Sequence, residues 1–67
     1  MSVAKITEIQ ASSTTSFDDA IRAGITRADK TLRNVTGAWD KSQKVVIDKG
    51  KIVEYRVLLK VTFVLQD

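Results

Sequence analysis

The chain of 67 residues contains no cysteine and no histidine. Without thiols there are no disulfides and no thiolate zinc sites. Without imidazole there are no Ser-His-Asp triads, no Cys-His nucleophile pairs and no histidine-ligated metals. An enzyme is therefore not expected. No stretch approaches the roughly eighteen apolar residues of a membrane span, and the N-terminus has no apolar targeting core, so the chain reads as soluble, with no membrane partner, and cytoplasmic by default. Aromatics are scarce, with one tryptophan, one tyrosine and two phenylalanines. That scarcity bears on the net charge of +3. Lys41, Lys44, Lys49 and Lys51 cluster around one expected hairpin, and a basic cluster can bind nucleic acid. With no aromatic-rich RNA-binding motif beside it, the cluster reads instead as a solvated turn kept soluble by lysines, and no nucleic-acid partner is expected.

A chain this short makes a single domain, spanning residues 1–67, that is too small to bury a large core. Small domains close that deficit with disulfides, metals or oligomers, and the first two are largely removed by composition. Self-association remains.

What is present is a long C-terminal strand. From Lys51 to Asp67 the odd positions Val53, Tyr55, Val57, Leu59, Val61, Phe63 and Leu65 form an unbroken apolar row, which period-two spacing places on one face that must be buried. The even positions Ile52, Glu54, Arg56, Leu58, Lys60, Thr62 and Val64 mix charged and apolar groups, so the second face is expected to meet a partner subunit rather than water alone.

The rest of the chain arranges itself around that strand. Val3 to Gln10 alternates weakly, with Ala4 and Ile6 on one face and Val3 and Ile9 on the other, as an edge strand does. Ala11 to Ser16 is polar and connects. Ser16 stands three residues before Asp19, a capping-box-like start with aspartate in place of the usual Glu or Gln. Phe17, Ala20, Ile21, Gly24, Ile25, Ala28, Leu32 and Val35 then step by three and four as one face of a helix. Asp18 with Arg22 and Asp29 with Arg33 are spaced as i,i+4 pairs on its outer face. Gly24 on the buried face predicts a close approach to the sheet or a neighbouring helix. Anion binding at this helix start is disfavoured, because the loop has no glycine and Asp18 and Asp19 already hold the positive end.

Thr36-Gly37 is expected to stop the helix. A second strand follows from about Ala38 to Asp48, with Trp39, Val45 and Ile47 sharing a face. Asp48-Lys49-Gly50-Lys51 makes a tight turn into the last strand. The fold class is α+β: βαββ, a three-stranded antiparallel-type sheet in order 1-3-2, with one helix packed on one face.

This order, the length, Thr31-Leu32-Arg33-Asn34 at the end of the helix, the Gly50 turn and the closing Lys60-Val61-Thr62-Phe63-Val64-Leu65 together resemble the dodecins over nearly the whole chain. The resemblance implies a hollow homododecamer that holds flavin, riboflavin or FMN, stacked in pairs against tryptophans, in a storage or sequestering role. Some members of the family also bind coenzyme A between subunits, and the resemblance extends that expectation to this chain. The chain departs from the flavin-binding pattern at three places. The flavin binders follow the helix closely with Asp-Trp-Phe-Glu, whereas here Thr36-Gly37-Ala38-Trp39-Asp40 puts the tryptophan two residues later. That shift keeps it on the same strand face but moves it about 7 Å. Arg56 after Tyr55 stands where they carry a flavin-contacting glutamine, and Thr62 stands where the family often has glycine. A calcium-binding branch of the family lacks the tryptophan and also carries Tyr-Arg in this strand. Whether this chain uses a metal is left open by its residues.

The candidate cofactor-binding residues are accordingly Trp39 and Arg56. An indole presented at a strand start can stack on a planar ring, and a guanidinium can donate to a carbonyl or a phosphate. The other reading makes Trp39 an interface anchor and pairs Arg56 with Glu54 or Glu8, in a flavin-free structural or ion-stabilised assembly.

Overall fold

A computed structural model describes residues 3–65. The elements are β1 (Val3–Ser13), α1 (Phe17–Thr31), β2 (Val35–Asp48) and β3 (Lys51–Leu65). The sheet order is β1-β3-β2, with both outer strands antiparallel to β3. The long apolar strand thus holds the centre, as its two-sided pattern requires.

β1 runs three residues further than its alternation suggests. Ala11, Ser12 and Ser13 pair with Val57, Arg56 and Tyr55, so ladder pairing overrides the turn preference of serine. At the helix start Ser16 is the N-cap, and its hydroxyl accepts from the Asp19 N–H at 3.0 Å. The reciprocal half of the box is absent. The Asp19 carboxylate instead accepts from the Ser13 hydroxyl at 2.7 Å, tying the end of β1 to the first turn of α1.

The helix also ends earlier than its apolar spacing implies. Leu32 is extended at φ −105, ψ 144, and its N–H caps Ala28. Asn34 then takes φ 60, a left-handed conformation that asparagine tolerates better than most residues. Its carbonyl accepts from Val64 N–H at 3.1 Å, which pins the corner to β3. Val35 therefore belongs to β2, opposite Phe63, and Arg33 lies beyond the helix, so Asp29 and Arg33 do not form a helical pair. The hairpin turn is a two-residue one, with Lys49 at φ 52 and Gly50 at φ 78, the two positive values that a type I′ turn needs.

The core is small. Ala20, Gly24 and Ala28 are the buried residues of α1; Ala20 and Ala28 join Val57, Leu59 and Val61 of β3 in one buried cluster. Ile25, on the margin of the apolar stripe, is exposed. Phe17 meets Tyr55 edge to face at 5.2 Å between centroids, fixing the N-terminal end of the helix over β3. Gly24 lets the helix lie close to the sheet: a Cβ built there would stand 3.0 Å from Ala11 Cβ and 3.1 Å from Leu59 Cδ1. Gly24→Val is therefore expected to destabilise the fold by about 2–3 kcal/mol through overpacking. A urea midpoint equal to that of the unaltered protein would show that the gap is slack.

Length decides what this core leaves uncovered. Fifteen residues of α1 span about 22 Å at helical rise, whereas the fifteen of β3 span about 50 Å at strand rise. The helix covers only the middle of the odd face. The expectation that the whole row is buried therefore fails within one chain, and Val53 and Leu65, at its two ends, are 44% and 46% exposed. The chain is correspondingly extended, 51 × 19 × 13 Å with a radius of gyration of 13.8 Å, against about 11 Å for a compact domain of this length. It exposes 5116 Å², where a monomer of its mass exposes about 4200 Å².

Three irregularities redirect β2. Register shifts between Val35 and Gly37, between Asp40 and Ser42 and between Val46 and Ile47 break the alternation, as β-bulges do. Trp39 lies opposite Lys60 and Val45 opposite Tyr55, positions on opposite faces of β3. The expected common face of Trp39 and Val45 does not exist.

Candidate functional site

The face of the sheet away from the helix is open, and the even residues of β3 form its spine. Register places Trp39 of β2, Lys60 of β3 and Glu8 of β1 in one row across it. Trp39 is 66% exposed, the highest value among the large apolar side chains of the described residues. Gly37 faces Thr62 and Trp39 faces Lys60, two positions on the same face of β3 one pleat repeat apart. The Lys60 ammonium stands 5.6 Å from the centroid of the indole, within the range of a cation–π contact.

The acids of this face are engaged. Lys41, the bulged residue of β2, reaches across the sheet to Glu8, with Nζ 3.3 Å from Oε1. Arg56 pairs through Nε with Glu54 at 2.5 Å. Because the register puts Arg56 opposite Lys44 and Lys60 opposite Trp39, four strand positions separate Arg56 from the tryptophan row, about 13 Å along β3. Trp39 and Arg56 share a face without converging within one subunit.

Lys60 does converge with Trp39, and sequence reasoning did not single it out. Its signal lies in the cross-strand register, which the two bulges between the hairpin turn and Trp39 make unreadable from alternation alone. Asp40, next to the tryptophan but on the helix side of the sheet, accepts from the Gln43 amide at 2.6 Å and keeps Oδ1 buried without a partner. Among the described residues no group of three or more acidic or thiol ligands gathers for a metal ion. No helix among them is long and apolar enough to cross a membrane. On the opposite side of the sheet a groove of about 590 Å³ runs between β1 and α1, floored by Ile9, Ala11, Gly24 and Ala28.

Comparison with known proteins follows this geometry closely. The model of the dodecin family matches residues 3–66. The dodecin of Streptomyces davaonensis superposes with a TM-score of 0.94 at 32% identity, over 98% of this chain and 97% of that one. A single-residue variant of the T. thermophilus dodecin gives 0.94 at 33% identity, over the full length of both chains. A calcium-chelating protein of Mycobacterium tuberculosis, described as a calcium dodecin, gives 0.83 at 31% identity, over 96% of this chain and 91% of that one. No curated protein matches the chain.

Proposed function

The chain belongs to the dodecin family, and from that premise we propose that it is the subunit of a closed homo-oligomer, a dodecamer, that stores or sequesters flavin rather than transforming it. The observation that carries this reading is the exposure of Trp39. A large indole left 66% bare on an open sheet face is costly in a free subunit and useful where a planar ring or a second subunit covers it. The residues fit a flavin to that extent: one indole offers a stacking face, and a cation stands beside it for a carbonyl or a phosphate. The flavin itself would supply the electron-poor ring, while this chain orients it and excludes water.

The separation of Trp39 and Arg56 shapes the proposal. Arg56 of the same subunit stands about 13 Å along β3 from the tryptophan row, so in this proposal a guanidinium beside the stacked ring would be a neighbouring subunit's. Arg56 is already paired with Glu54, and presenting it to a neutral ring costs desolvation. Arg56→Gln is therefore expected to tighten riboflavin binding severalfold in a fluorescence titration. Weaker binding in that variant would make the guanidinium a ligand donor.

A second reading has its own observation. Buried, unpartnered Oδ1 of Asp40 is a free carboxylate oxygen, as an ion-stabilised, flavin-free assembly would use. The absorbance spectrum of the purified protein separates the two. Flavin bands support the first reading, and their absence after growth with excess riboflavin supports the second.

A further inference from the structure

We infer that Lys60 sets the charge of the ligand: the Trp39 site takes a planar ring bearing an anionic group, a flavin phosphate, in preference to a neutral ring. This rests on the flavin reading above and adds to it a residue that selects among flavins.

The argument begins with the charge balance of the open face. Lys41, Lys44, Arg56 and Lys60 stand there against Glu8 and Glu54, four cations and two carboxylates. Both carboxylates are taken, Glu8 by Lys41 and Glu54 by Arg56. Among the described residues Lys60 pairs with no acid, and its ammonium rests over the indole at 5.6 Å. A cation–π contact at an exposed ring is weaker than a charge-assisted hydrogen bond to an anion. The cation beside the aromatic is thus the one with the most to gain from an incoming charge.

Stacking forces the choice. A ring laid on the face of Trp39 that Lys60 covers must push the ammonium aside; one laid on the other face leaves it at the edge of the stack. In both cases the ammonium, on a flexible four-carbon stem, stays beside the ligand. A neutral ligand that displaces it exchanges the cation–π contact for, at most, a hydrogen bond to an uncharged carbonyl, weaker than an ion pair. A phosphorylated ligand exchanges that contact for an ion pair. Lys60 therefore discriminates by what it gains, while Trp39 holds either ring.

The test is a titration of riboflavin and of FMN against the intact oligomer and against Lys60→Met, followed by flavin fluorescence. The unaltered protein is expected to bind FMN up to about fivefold more tightly, the upper range of a partly exposed ion pair. That ratio should shrink as salt is added, because such pairs are screened. In Lys60→Met it should fall to about one while riboflavin binding is retained. Lys60→Gln serves as the second variant if light scattering shows that the methionine disturbs assembly. Equal affinities in the unaltered protein, or a preference that survives both substitutions, would overturn the role of Lys60 and leave the flavin reading standing. Quenching of neither flavin would remove both.

Discussion

Trp39→Ala is expected to abolish flavin binding. Laying an isoalloxazine on the indole face removes on the order of 100 Å² of apolar surface from water, about 2–2.5 kcal/mol. Stacking geometry adds roughly 0.5–1.5 kcal/mol beyond that area. A loss of about 3 kcal/mol is more than a hundredfold in Kd. The sequence has one tryptophan, so no second indole can substitute, and the other aromatic ring near this end of β3, Phe63, belongs to the face that carries the helix. The measurement is the flavin fluorescence of the variant oligomer against that of the unaltered one. Retained quenching would move the ligand away from Trp39.

Leu58→Asp is expected to dismantle the assembly. Leu58 lies on the open face, between Gln10 of β1 and Ser42 of β2 in the register. If a neighbouring subunit covers it, the new carboxylate is buried without a partner at an effective cost of several kcal/mol per ion. Every subunit of a closed oligomer carries that cost. Lys30, exposed in the last turn of α1, provides the control, and Lys30→Ala should leave the size unchanged because it touches neither face of the sheet. Light scattering of both variants at micromolar concentration decides the matter. Equal effects would show that the open face is not where subunits meet.

The fold was legible because its signals are periodic and local. The apolar row of β3 and the three-and-four spacing of α1 set the layers, and with the short Lys49-Gly50 turn they leave one economical topology. Ser16, Gly24 and Gly50 each do what their chemistry suggested. The errors sit where tertiary pairing overrides a local pattern. Val35 fits the helical spacing, but the Asn34 corner bonded to Val64 takes it into β2. Trp39 and Val45 are in phase for an unbroken strand, and the bulge at Lys41 puts them out of phase. Val53 and Leu65 continue the buried row in sequence, but α1 is too short to reach them. The candidate site is only partly readable from sequence. A lone tryptophan in a strand draws attention to itself, whereas Lys60 joins it only through cross-strand register, which the two bulges between the hairpin and Trp39 shift.

The central claim is that a dodecin-family subunit assembles so that Trp39 carries a flavin, and a fluorescence titration of the intact oligomer tests it most directly. Protein whose size has been confirmed by light scattering is added to a fixed amount of FMN and, separately, of riboflavin. The account predicts saturable loss of flavin emission with the protein still oligomeric, since an electron-rich indole in van der Waals contact quenches the excited ring. Flavin emission that stays unchanged up to excess oligomer would contradict it.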